Sequence, residues 1–165
     1  ASLQNSSFES RKRWVLQIID KSIPLESLTG LLPSDKKSAN RFLWLISEIG
    51  LANPEKLLSE LPYLYEILTR QYPEFKSSLA SWWRIAGVPE DNEGEAIDLL
   101  FELLLSHKTN VTIKTRSLIV LNNLCNKYPE IRNELKICLL DMKDKYSVDF
   151  QKRVNKMLIQ MEVEI

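Results

Sequence analysis

Arg41-Phe42-Leu43-Trp44-Leu45-Ile46-Ser47-Glu48-Ile49-Gly50-Leu51-Ala52-Asn53-Pro54 is the stretch on which the fold turns. Counted from Arg41, apolar residues fall at Trp44, Leu45, Ile46 and Ile49, offsets of 3, 4, 5 and 8. Those offsets trace one stripe of an α-helix. The stripe stops short of Asn53-Pro54. Asn caps a helix N-terminus well, and Pro suits the first helical position, where its missing N–H costs no intrahelical bond. A Pro also pushes the preceding residue out of the helical region. The stretch therefore reads as one helix, a tight turn and the start of the next, with Gly50 at the place of a C-terminal cap.

The arrangement recurs. Arg11 is followed 13 residues later by Pro24, as Arg41 is by Pro54 and Arg116 by Pro129. The same offsets give Trp14, Val15, Leu16 and Ile19 after Arg11, and Ile119, Val120, Leu121 and Leu124 after Arg116. Arg116 and Arg153 are 37 residues apart, and Arg41 and Arg116 are 75 apart, which leaves room for one more unit between them. Leu79 to Ala86 falls there, with Trp82 at the place of Trp44. Arg153 with Met157, Leu158 and Met161 forms the last unit. The first spacing is shorter, 30 residues from Arg11 to Arg41.

Nine helices are expected, at 7–20, 24–31, 35–49, 54–70, 74–86, 93–106, 110–127, 129–144 and 147–161. Ser34 is the expected opener of the third. Pro62 falls inside the fourth without interrupting the stripe Leu57, Leu58, Leu61, Leu64, Ile67 and Leu68. The longest loop expected is Gly87 to Asn92. No linker divides the chain, so 1–165 reads as a single helical repeat domain.

The pattern resembles HEAT-like and armadillo-like repeats, which pair two helices per unit with a period near 40 residues. Asn53-Pro54-Glu55-Lys56-Leu57-Leu58 with Pro62 looks like the family's first, kinked helix. Asn110-Val111-Thr112-Ile113-Lys114-Thr115-Arg116 with Leu118 and Leu121 looks like its second. The unit at 74–106 departs most, because it lacks both the Arg at the expected place and the Pro at its partner position. The resemblance implies an all-α, right-handed α-α superhelix whose second helices line a concave face. It implies a fold and no activity.

Composition sets outer bounds. Of 165 residues, 44% are apolar and 27% charged, ordinary for a folded chain. No apolar run approaches the roughly 20 residues of a membrane-spanning helix, and no apolar leader opens the chain, so a cytoplasmic protein is expected. Net charge is zero, but residues 1–41 carry a net +3, residues 42–106 a net −7 and residues 107–165 a net +4. A dedicated nucleic-acid binder shows a stronger basic surplus.

Enzyme signatures are poor. Spacing gives the single His107 no nucleophile or carboxylate partner, and no Gly-rich phosphate loop or Gly-x-Ser-x-Gly elbow is present. The acidic run Glu90, Asp91, Glu93, Glu95 and Asp98 misses the calcium-loop pattern. Cys125 and Cys138 sit in apolar helical stretches and read as buried free thiols, and one His cannot complete a zinc set. Neither cofactor nor metal is expected.

The Trp and Arg residues are the candidates for partner binding. Trp14, Trp44, Trp82 and Trp83 lie on Arg-bearing helices, where they either fill the core or anchor a partner. Trp82 and Trp83 point about 100° apart on a helix, which leaves one of the two free to face solvent, with Arg84 beside them as an anion contact. Arg11, Arg41, Arg116 and Arg153 either brace loops or form a positive ladder. The expected partner site is Trp82, Trp83, Arg84, Arg41 and Arg116. The expected function is a non-enzymatic scaffold that grips a protein or peptide, as a monomer or weak dimer. The second reading is nucleic-acid binding, by resemblance to DNA alkylation-repair glycosylases. These also use HEAT-like helices, with Trp, Asp and Arg in a cationic groove; no catalytic residue is carried over.

Overall fold

The computed structural model of the chain describes residues 3–33 and 35–163, and among them the secondary structure is helical, with no strand. The chain divides into two compact units, Ala1–Glu93 and Gly94–Ile165.

In the first unit, helix α1 spans Phe8–Asp20, α2 Lys36–Ala52, α3 Pro54–Arg70 and α4 Ser78–Ala86. Helix α2 packs against α1, α3 and α4, and α3 also packs against α4. The centre of the unit is therefore the buried face of α2: Ala39, Phe42, Leu45, Ile46 and Ile49. Leu57, Leu61, Leu64, Ile67 and Leu68 of α3 meet it with a stripe of the same period.

Local chemistry explains the helix starts. The Ser7 hydroxyl accepts from the Ser10 amide at 3.1 Å at the head of α1. The Asn53 side chain accepts from the Lys56 amide at 3.2 Å, with Pro54 at the first position of α3. For α2 the cap is Asp35, whose carboxylate takes the Ser38 amide at 3.0 Å and the Ser38 hydroxyl at 2.7 Å. These two bonds hold the Asp35 carboxyl below its ordinary pKa. The expected opener, Ser34, lies outside the described residues. Helix α3 runs through Pro62 to Arg70, and Pro62 is exposed on its solvent side.

Helix α1 ends in a Schellman turn. The Ile23 amide reaches back to the Ile18 carbonyl at 3.0 Å and the Ser22 amide to the Ile19 carbonyl at 3.1 Å. Ser22 takes the left-handed conformation, φ 51°, that this turn requires. A side chain there carries a steric cost that Gly avoids. Ser22→Gly is expected to stabilise the chain by about 0.5 kcal/mol, net of the extra freedom Gly gives the unfolded state. A urea midpoint that falls instead would contradict this.

Three expectations are corrected here. The segment expected as a helix at 24–31 is a 3-10 helix over Leu25–Leu31. Its bonds span three residues, from the Ser27 amide to the Pro24 carbonyl and from Leu32 to Thr29. Seven residues are too few to repay α-helix nucleation. Tertiary bonds hold the segment instead. Lys56 Nζ donates to the Ile23 carbonyl at 2.8 Å, the Leu25 amide donates to Glu60 Oε1, and Lys56 and Glu60 pair at 3.1 Å across one turn of α3. Pro24, which has no N–H, sits between the two backbone contacts.

The helix expected at 74–86 is a 3-10 turn, Pro73–Phe75, followed by the nine-residue α4. Gly50 is not a cap either: α2 continues past it to Ala52, and Gly50 is buried. A Cβ there would collide with Leu57 Cδ2 and stand 3.3 Å from Ile85 Cγ2. Gly50 is the place where α3 approaches the α2 backbone. Leu57 is fully buried, so its side chain shifts only by disturbing the core packed around it. Gly50→Ala is therefore expected to destabilise by about 1–2 kcal/mol, overpacking outweighing the better helix propensity. A rise in stability would show that the contact relaxes freely.

The second unit holds α5 Glu93–Leu105, α6 Val111–Cys125, α7 Glu130–Met142 and α8 Val148–Val163. Helix α7 packs against both α6 and α8. Asn110 caps α6, accepting from the Ile113 amide at 2.9 Å. Lys114 is fully buried on α6 and ties it to α5. Its Nζ donates to the Leu104 carbonyl at 2.6 Å and to the Ser106 carbonyl at 2.7 Å, where α5 ends and its last carbonyls run out of intrahelical partners; the Ser106 carbonyl also takes the Thr109 amide at 3.3 Å. The Tyr146 ring lies 5.3 Å from the same ammonium and packs edge-on against Phe150 at 5.1 Å. Among the described residues no helix is long and apolar enough to cross a membrane.

Candidate functional site

A groove of about 560 Å³ opens in the first unit, lined by Arg11 of α1 and by Lys36, Lys37, Asn40, Arg41 and Trp44 of α2. Helix geometry gathers them. Lys36, Asn40 and Trp44 are successive i, i+4 neighbours, and Lys37 and Arg41 form the adjacent row. These two rows cover the first turns of α2, where the helix dipole is positive.

Arg11 and Arg41 are anchored by the turn that precedes α1. Arg11 Nη1 donates to the Ser6 carbonyl at 2.8 Å and the Ser6 hydroxyl at 3.3 Å. Arg41 Nη1 donates to the Leu3 carbonyl at 2.9 Å and also to the Gln4 carbonyl. For these two, the role of bracing a loop holds. Neither has an ion-pair partner among the described residues, nor do Lys36 and Lys37. Their charge is therefore not neutralised among the described residues. Arg11 Nε, buried from solvent, also has no acceptor among the described residues.

Trp44 forms the aromatic wall. It is half-buried, packs on Phe8 with ring centres 5.7 Å apart, and carries the Arg11 guanidinium 5.2 Å from its ring centre. The cation–π contact fixes the guanidinium over the indole. A second, smaller hollow of about 260 Å³ lies beneath the 3-10 segment. Trp14 joins Leu3, Ile18, Ile23, Leu28, Leu31 and Leu45 in its mainly apolar wall, with Gln17 and Lys21 as its polar members.

The remaining expected site residues are scattered. Trp82 and Trp83 are both buried, at 0% and 2% exposure, which corrects the expectation that one of them faces solvent. The 100° between them is accommodated because α4 packs on two helices at once, α2 and α3. Trp82 Nε1 donates to the Ser47 hydroxyl of α2 at 3.1 Å, while Trp83 faces Tyr65 of α3 with ring centres 6.1 Å apart. Core packing thus accounts for both. Arg84 is exposed in the last turn of α4, where its charge suits the helix dipole. Arg116 is half-buried on α6 of the second unit, and Arg153 is exposed on α8. Of the Arg series, Arg11 and Arg41 share the groove.

His107 is exposed in the turn after α5. Cys125 and Cys138 are buried free thiols, and burial pushes both thiols above the usual pKa. Buried, protonated thiols are poor nucleophiles.

Lys36, Lys37 and Asn40 were not singled out from the sequence. The available signal was the recurrence of basic residues one helical turn before Arg41, on the helix that carries Trp44. Comparison of the chain with protein-family profiles, with curated proteins and with solved structures found no match.

Proposed function

We propose that this chain is a non-enzymatic interaction module of HEAT-like or armadillo-like repeats, a right-handed α-α superhelix. It binds a protein or peptide on the face lined by its Arg-bearing helices, acting in the cytoplasm as a monomer or weak dimer. The observation that carries the reading is the α1–α2 groove. Arg11 and Arg41 hold the same repeat position on successive Arg-bearing helices, and both line it, beside an aromatic wall, with no ion-pair partner among the described residues. Aromatic and Arg side chains are the types that dominate protein recognition. Helix-on-neighbour packing within each unit also supports the repeat reading.

The test is co-purification of the tagged full chain from cells of its source, with and without nuclease. A specific protein retained after nuclease treatment is the expected result. Recovery that collapses on nuclease treatment would replace this reading with the nucleic-acid one.

A further inference from the structure

We infer that the groove between α1 and α2 recognises a short acidic peptide segment. Its Asp or Glu carboxylates meet Lys36, Lys37 and the free edges of Arg11 and Arg41, and an apolar side chain rests against Trp44. The inference deepens the interaction-module reading and rests on it.

Charge complementarity is the first argument. Four cations converge on a groove of about 560 Å³, and none has an ion-pair partner among the described residues. The nearest carboxylate in sequence, Asp35, is turned onto Ser38, which occupies both of its oxygens. Lys36 and Lys37 are exposed on long, rotatable stems, whereas Arg11 and Arg41 are held by backbone carbonyls. Two fixed guanidiniums and two adaptable ammoniums make a site that orients one carboxylate and tolerates the spacing of the next.

Size and surroundings favour a peptide over a nucleic-acid strand. A volume of this order holds a drug-sized ligand, hence a few residues of chain. The positive charge is also local. Residues 1–93 carry 11 basic and 12 acidic residues, so four of the 11 cations sit in this one groove while the unit as a whole is slightly negative. A polyanion that runs beyond the groove meets net repulsion, because its affinity grows with each further phosphate neutralised. A short acidic segment ends where the cations end. The half-buried indole gives it a flat apolar surface that a purely ionic site lacks.

The probe is a fluorescein-labelled octapeptide alternating Glu with Leu, titrated with the full chain at low salt and read by anisotropy. Binding is expected, and it weakens as salt screens the exposed charges. Lys36→Glu with Lys37→Glu is expected to weaken it by about tenfold or more, since two attractions become repulsions. Both side chains are exposed, so the fold, checked by circular dichroism, is retained. Lys152→Glu, exposed on α8 and outside the groove, is expected to leave binding unchanged.

The assignment is overturned if the peptide fails to bind at low salt, if the double variant binds it equally well, or if a labelled octathymidylate binds more tightly than the peptide. Failure of this inference is distinguishable from failure of the wider reading. A nuclease-resistant partner that the double variant still retains leaves the module standing and removes the groove. A parent chain that retains no such partner removes the module.

Discussion

Trp82→Ala is expected to destabilise the first unit by about 3–5 kcal/mol, the range seen when a large aromatic is cut from a core. The indole is completely buried and spans from α4 to α2, where its N–H reaches Ser47. Truncation removes that bond and leaves a void between two helices that cannot both close on it. Trp82→Phe separates the terms. It keeps most of the packing and loses the hydrogen bond, for about 1 kcal/mol beyond the smaller void.

Trp83 supplies the contrast. Its Nε1 is buried and has no acceptor among the described residues. Trp83→Phe therefore removes an unpaired donor along with some packing, and its cost is expected to be the smaller of the two. Urea unfolding followed by far-ultraviolet circular dichroism measures all three variants. Equal costs for the two Phe substitutions would show that the Ser47 bond adds nothing.

Lys114→Ala is expected to cost the second unit about 3 kcal/mol. It strands the Leu104 carbonyl, removes one of the two donors to the Ser106 carbonyl and empties the space of the buried stem. Cys125 and Cys138 are both buried in this unit, so their rate of labelling by a thiol reagent reports its opening. Faster labelling at the same urea concentration is the expected readout, and unchanged labelling would show that the α5 end is held by other bonds. Lys114→Met keeps the stem volume and recovers the packing share but not the carbonyls.

The pH dependence of this residue has a definite sign. Burial lowers the Lys114 pKa in the folded chain. At neutral pH the ammonium is charged in both states, and its desolvation opposes folding. As pH rises through the folded pKa toward the unfolded value of about 10.4, the unfolded state binds more protons, and stability rises. The two thiols shift the other way, since burial favours their neutral form in the fold. The difference between parent and Lys114→Ala cancels the thiols. That difference is expected to widen, with the parent gaining stability, across the alkaline range.

The helical class and most helix starts were legible in the residues, because they depend on neighbours within a turn or two. Asn53 before Pro54 caps the helix it was expected to cap, and Asn110, expected as the first residue of its helix, caps α6. The stripe of α3 carries through Pro62 because a Pro on the exposed side gives up a bond that solvent can replace. The same local reasoning placed Arg11 and Arg41 at one repeat position, half of what the groove needs.

Local rules failed wherever a distant segment decided the outcome. Gly50 looks like a cap from its neighbours, yet it is small because Leu57 of the next helix needs the space. Leu25–Leu31 has the composition of a short helix, but bonds from Lys56 and Glu60 hold it as a 3-10 segment. Trp82 and Trp83 diverge on their helix, and only packing of α4 on both α2 and α3 puts both indoles inside. Lys114 carries a charge, yet it is the buried tie between α5 and α6. By itself, then, the sequence determined an all-helical chain, where most of its helices begin, and a recurring Arg position. The tertiary structure alone decided which Trp residues are core and which cations share a groove, because periodicity and capping act within a helix while burial and charge clustering depend on what packs against it from elsewhere in the chain.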